Sequence, residues 1–247
     1  MSSEWKGTAG RVGGDRRALG RYAYRELVGT NGMTVVVATV YLATQSSKEG
    51  AWVKQEKWME AARLRLESER KAGALSAWDA ELLEHLSVSG PSGANPKSVA
   101  LLELKQELLR LRCEYIVIGG DWNMGPPGVT DYKTGDETTS NRRNTAMVGE
   151  FARELGLVDP LQERLKDGDT MPVTCVSGDK RSWIDYFLVS TRLEARGLVR
   201  AVGVVGDSMN GSDHKAIVLD LDGASALGKS TLWGDIEHAI KLRAESN

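Results

Sequence analysis

A chain of 247 residues, 41% hydrophobic and 27% charged, can fill one large domain around a packed core. Its formal net charge of −2 excludes a global basic field, so any polyanion must be met by a local patch. Two cysteines exclude a disulfide framework and a cysteine-only zinc site, residues 33–43 are too short and threonine-rich to span a bilayer, and residues 1–14 lack the apolar core of a signal peptide. The class that remains is a soluble intracellular protein, nuclear or cytoplasmic.

Residues 1–21 carry Lys6, Arg11, Arg16, Arg17 and Arg21 against Glu4 and Asp15, and read as a basic flexible arm without a strand of its own. Residues 22–27 and 33–41 read as two strands joined through Gly29-Thr30-Asn31-Gly32, since Asn-Gly between extended runs favours a hairpin. Tyr41 closes the second strand, where its ring packs or its hydroxyl stands at the mouth of a site. Residues 45–96 switch to helical spacing. Trp52, Met59, Ala62 and Leu66 share one face before a stop at Gly73, and Trp78, Leu82 and Leu86 mark a second helix with His85 on its polar face. A third helix, carrying Leu101, Leu104, Leu108 and Leu111, leads into Ile116-Val117-Ile118-Gly119-Gly120-Asp121-Trp122-Asn123.

That stretch organises the chain. Its β-branched run suits a strand buried on both faces, and the glycines allow close approach of a neighbour or ligand. Asp121 and Asn123 then arrive at a sheet edge, where a carboxylate beside a carboxamide can bind a hard cation and a phosphate oxygen together. A polar loop runs to about residue 140, with Arg142 and Arg143 just before a short helix marked by Met147, Phe151 and Leu155 and closed by Gly156. The two arginines are either a solvated helix start or contacts for phosphate. Residues 172–176 and 183–189 read as a strand pair around Ser177-Gly178-Asp179. Asp185 is an acid inside an otherwise apolar strand and needs a partner. His214, in Gly211-Ser212-Asp213-His214, is that partner, because a carboxylate on one imidazole nitrogen fixes the tautomer and raises basicity. Asp213 stays free for a metal, and residues 216–221 form the last strand.

Residues 223–230, Gly-Ala-Ser-Ala-Leu-Gly-Lys-Ser, match the phosphate-loop pattern in full, after a strand and before a helical spacing of Leu232, Ile236 and Ile240. Too few residues follow Ser230 for the strands and metal-binding acid such a domain needs, so the match reads as coincidence. Residues 223–247 then form a tail, and His238 an exposed residue of its helix.

Three blocks in this order, IGGDWN at 118–123, SWIDYFLVS at 182–190 and GSDHKAIVLDL at 211–221, resemble the endonuclease/exonuclease/phosphatase family of DNase I-like enzymes. TVYLAT at 39–44 resembles that family's tyrosine-bearing strand end. The resemblance covers roughly residues 20–222. It implies an α/β, four-layer sandwich of two face-to-face mixed sheets with helices outside, and Mg²⁺- or Mn²⁺-assisted hydrolysis of phosphate esters. It implies that Asp121 orients or activates water, Asn123 holds a phosphate oxygen or the metal environment, and Asp185 pairs with His214. His214 then binds the scissile phosphate or moves a proton, Asp213 and Asp121 bind metal, and Tyr41 contacts phosphate. Two departures stand out: the family's Asn-bearing and Gln-Glu strands have no counterpart here, as if the start were truncated, and Ala43 and Thr44 replace a frequent Pro and Asn. The expected activity is a nuclease on DNA or RNA, of a retrotransposon-like type. The alternatives are an inositol-phosphate or lipid phosphatase, and an inactive relic that only binds nucleic acid or a partner. Oligomeric state is not legible.

Overall fold

The computed structural model of the protein describes residues 9–15, 17, 19–44, 50–88, 94–129, 132–133, 139–206 and 211–228. The strands are β1 (Ala9–Gly14), β2 (Tyr22–Val28), β3 (Thr34–Tyr41), β4 (Tyr115–Asp121), β5 (Leu157–Val158), β6 (Cys175–Ser177), β7 (Lys180–Ser182), β8 (Asp185–Ser190), β9 (Val199–Val204) and β10 (Ile217–Leu221). The helices are α1 (Ala51–Lys71), α2 (Ala77–Ser87), α3 (Pro96–Leu111), α4 (Thr139–Leu155), α5 (Thr191–Ala195) and α6 (Gly223–Leu227). Six strands form a mixed sheet in the order β1-β2-β3-β4-β8-β5, in which β3 and β4 are parallel and the other neighbours antiparallel. β9 pairs with β10, and β6 with β7, in two antiparallel hairpin-sized sheets.

The unbroken apolar run of β4 follows from burial on both faces. Ile116 and Ile118 pack with Leu104, Leu108 and Phe151 of the helical layer, whereas Tyr115 and Val117 pack with Val35, Val189, Leu198 and Val199. A helical layer, the central mixed sheet and a second β-layer therefore stack in that order. Among the described residues the second layer has two strands, a reduced sheet of the kind expected from the missing first strands. Two strands leave part of the facing surface open: Val37 is 40% exposed and lines a cavity there with Phe187 and Ile217. No helix of the described residues is long and apolar enough to cross a membrane.

The start of the chain differs from the expected arm. Residues 9–14 are β1, paired with β2. A glycine-rich run reads as loop, but these glycines are required by contact: a Cβ on Gly10 would strike the Glu26 backbone, and one on Gly13 the Tyr24 ring. The basic residues there are spent on acids, Arg11 on Glu26, Arg17 on Glu103, and Arg21 on Asp15 and Glu103. Lys6 and Arg16 lie outside the described residues. The expected strand pair at 172–189 is also redistributed. β6 turns back on β7, while β8 leaves the hairpin and pairs with β4, because Trp183 and Ile184 are both buried and break the alternation between them. α4 begins at Thr139, so Arg142 and Arg143 lie inside the helix and not before it. The phosphate-loop match is α6 over residues 223–227, where a cradle would need open backbone amides. Lys229, Ser230 and His238 lie outside the described residues. His85 is half-buried, its Nε2 2.8 Å from Ser98 Oγ.

Candidate active site

Three neighbouring strands end together. Tyr41 on β3 is in register with Asp121 on β4, and Asp121 with Asp185 on β8. Directly paired residues share a face, so these side chains line up in one row across the sheet. Gly119 and Gly120 permit this closeness: a Cβ on Gly119 would enter the Phe187 ring, and one on Gly120 the Val40 backbone. A separate segment delivers His214. Its Nδ1 lies 2.9 Å from Asp185 Oδ2, and its backbone N–H donates to Ser212 Oγ at 3.1 Å. Ligand atoms of Asp121, Asp185 and His214 all lie within 4.8 Å of one another.

Too little positive charge faces these acids. Burial, then the charge of Asp185, pushes the Asp121 carboxyl up to about 6, against the pull of the Asn123 N–H, His214 and Lys97. Burial also raises Asp185, although a hydrogen bond with Thr174 and the charge of His214 oppose it. Burial lowers His214, but the charge and hydrogen bond of Asp185 outweigh it and leave the imidazole above its ordinary value. The ring is therefore held in the charged form over a wider pH range than a free histidine.

The loop after β4 fixes Asp121. Trp122 is fully buried, stacks on Tyr186 at 5.0 Å, and donates from Nε1 to Tyr186 O at 3.1 Å. Asn123 takes the left-handed conformation (φ 51°), which asparagine tolerates better than most residues. Its backbone N–H and Nδ2 donate to the two Asp121 oxygens at 2.9 Å each, and Nδ2 also donates to Leu42 O at 2.8 Å. Both partners of Nδ2 are acceptors, so the amide cannot be reversed. What Asn123 has left is Oδ1, an acceptor suited to water or a cation and not to a phosphate oxygen.

Sequence reasoning missed Lys97 and Thr174. Lys97 is 6% exposed, and its Nζ donates to Asn123 O at 2.6 Å. Burial lowers it to about 8, aided by Lys133 and opposed by Asp121. A lysine in the first turn of a helix runs against the helix dipole, a signal that could have marked it. Asn95 caps that turn through Lys97 and Ser98 N–H and so places the side chain. Thr174 Oγ1 accepts from the Ile184 and Asp185 N–H groups at 3.0 Å, and no local pattern announces it.

The other expected residues are placed as follows. Tyr41 is 55% exposed at the end of its strand. Asp213 is exposed, with Oδ1 4.0 Å from His214 Nε2, and groups with Cys175 and His214, whereas Asp121 groups with Asp185 and His214. Arg142 and Arg143 are exposed on α4. A cavity of about 410 Å³ adjoins Asp121 and Asp185, with Thr39, Phe187 and Lys215 in its wall and neither arginine. The oxygen donors fit a hard divalent ion: Asp121 and Asp185 are under-neutralised, and Asn123 Oδ1 is open beside them.

A family model described as Endonuclease/Exonuclease/phosphatase family matches residues 6–214. Among solved structures, the chain is similar to the 3′ phosphatase NExo from Neisseria bound to product DNA hairpin, at 16% identity and a TM-score of 0.50, covering 87% of this chain and 72% of that one. It is also similar to an AP endonuclease from Archaeoglobus fulgidus, at 13% identity and a TM-score of 0.48, with coverages of 87% and 72%. For the APE2 catalytic domain from Xenopus laevis the figures are 14%, 0.46, and 81% and 54%. At 16% identity the likeness to the Neisseria phosphatase speaks for the fold alone. No curated protein matches the chain by sequence.

Proposed function

Because the chain belongs to the endonuclease/exonuclease/phosphatase family, whose members hydrolyse phosphate esters, we propose that it is a divalent-metal-dependent nuclease acting on DNA or RNA. The observation that carries this reading is the row Asp121–Asp185–His214 at the strand ends, with an imidazole held by one carboxylate and a second carboxylate beside it.

Asp185 holds the His214 ring and stabilises its protonated form, so that Nε2–H is offered to a phosphate oxygen. Asp121 orients the attacking water and accepts its proton. Asn123 acts by holding Asp121, and the Tyr41 hydroxyl contacts the phosphate. The carboxylates of Asp121 and Asp213 would hold Mg²⁺ or Mn²⁺. Such an ion supplies Lewis-acid stabilisation of the phosphate charge. Nucleic acid is favoured as substrate by a local cationic rim in an acidic protein. Lys215 lines the cavity, Lys133 bridges to β7, and Lys180 lies on the same hairpin. Arg142 and Arg143, exposed on α4, would contact flanking phosphates.

The test offers supercoiled plasmid, structured RNA and an inositol phosphate to the purified chain with Mg²⁺ or Mn²⁺. Nicking that EDTA stops, and that Asp185→Asn and His214→Ala abolish, is the expected result. Turnover of the inositol phosphate with nucleic acid untouched would replace the nuclease reading by a phosphatase. No turnover together with no calorimetric Mn²⁺ binding would leave a binding module.

A further inference from the structure

Cys175 has no part in the reaction above, yet it stands beside it. An antiparallel bridge joins Cys175 to His214. Two further backbone bonds close the same zipper, Val176 N–H to Asp213 O at 2.7 Å and Lys215 N–H to Thr174 O at 2.7 Å. The register of these two segments is thus set by the main chain and does not depend on their side chains. It brings the Cys175 thiol, an Asp213 carboxylate oxygen and a His214 ring nitrogen within 4.8 Å of one another. Asp185 occupies Nδ1 of His214, which leaves Nε2 for a ligand on the side of Asp213. A carboxylate on the far nitrogen is the usual support of a metal-bound histidine. Cys175 is buried and a free cysteine, so no disulfide competes for its sulfur.

We propose that Cys175, Asp213 and His214 form a transition-metal site, matched to Zn²⁺ and separate in chemistry from the oxygen-rich group of Asp121 and Asp185. One sulfur, one nitrogen and one oxygen with a fourth position open is a tetrahedral zinc donor set, whereas Mg²⁺ takes oxygen ligands. The thiol loses its proton to solvent as the metal–sulfur bond forms, and the ring releases its Nε2 proton to solvent so that the Nε2 lone pair can bind the metal while Nδ1–H stays on Asp185. While zinc is bound, Nε2 has no proton to offer a phosphate, and the Asp213 carboxylate is occupied. Zinc at this site is therefore an inhibitor that acts by capturing His214. The inhibitory consequence rests on the function proposed above; the binding does not.

Cobalt(II) is the probe for the binding. Titrating the purified chain with Co²⁺ is expected to give one equivalent of a tetrahedral visible spectrum with a thiolate-to-cobalt charge-transfer band, bleached by stoichiometric Zn²⁺. Cys175→Ser should lose the charge-transfer band, and Asp213→Asn should weaken Co²⁺ binding at least about tenfold. Thermal unfolding of each variant confirms that it is folded, and Cys175→Ala serves if the serine variant is not. In the hydrolysis assay, the Zn²⁺ concentration giving half-inhibition should rise at least about tenfold in Cys175→Ser. Absence of the charge-transfer band in the parent, or its survival in Cys175→Ser, would overturn the site. A chain that shows the band but hydrolyses nothing would retain the zinc site and lose the nuclease reading.

Discussion

Arg21 and Asp121 anchor two buried charge clusters on the same sheet, and the clusters end in opposite electrostatic states. Arg21 is 1% exposed, but its guanidinium donates to Asp15 at 2.8 and 2.6 Å and also to Glu103. Asp15 takes further bonds from the N–H groups of Arg17, Leu19 and Arg21. Burial pushes Asp15 up, but these bonds outweigh it and hold the carboxyl below its ordinary value. At the strand ends two carboxylates share one imidazole, and Asp121 rises to about 6. The residue types differ little. What differs is the cation: a forked guanidinium with five donors against a ring with two. The saturated cluster has nothing left to bind and ties β1 to α3. The under-neutralised cluster keeps acceptors open to water, a cation and a substrate.

The contrast breaks most visibly at His214. Replacement with alanine should lower the hydrolysis rate about 10²–10⁴-fold. Asp185→Asn should do likewise without lowering the melting temperature, because the amide oxygen still accepts from Nδ1 while a buried charge is gone. A rate equal to the parent's in both variants would remove the site assignment. At the saturated cluster the loss should fall on stability. Arg21→Met leaves Asp15 without a cation and Glu103 with Arg17 alone, and should cost about 3–5 kcal/mol in urea unfolding. Adding Asp15→Asn and Glu103→Gln should recover most of that loss, and a cost below about 1 kcal/mol would show that the cluster is not saturated.

Asp159 sharpens the comparison, since it is under-satisfied but closed to solvent. It is 2% exposed, Oδ1 accepts from the Leu161 and Gln162 N–H groups, and Oδ2 has no partner among the described residues. Burial raises its carboxyl to about 7, against those two bonds. Unfolded, the group titrates near 4, so between about pH 4 and 7 the folded state holds more protons. Stability from this residue is greatest below pH 4, falls as the pH rises to about 7, and is level beyond. Asp159→Asn should remove that slope and be more stable than the parent at pH 8 by roughly 2–4 kcal/mol. Parallel stability curves for the two proteins would sink the prediction. Lys97→Met should give the smallest effect, about 1–3 kcal/mol, by leaving the Asn123 carbonyl unsatisfied. It should also lower kcat with KM unchanged if Lys97 positions Asn123 and through it Asp121; a stability loss with kcat intact would make it structural only.

The hairpin around Asn31-Gly32, the helical faces of α1–α3 and the buried run of β4 were legible because local patterning and burial agree in them. The glycine-rich β1 was not, because its glycines answer to Glu26 and Tyr24 on the neighbouring strand. The break between β7 and β8 was missed for a similar reason: only the packing of Trp183 and Ile184 reveals it.

By itself the sequence determined the family, through three short blocks in order, the strand that carries Asp121 and Asn123, and the need of Asp185 for a partner, since each block is a local run of residues. Only the tertiary structure decided that Nδ2 of Asn123 is committed, that Lys97 lies beneath it, and that Cys175 shares His214 with Asp185. These relations join residues 81, 26, 29 and 39 positions apart, and their distances are set by strand register and packing, which no local pattern encodes.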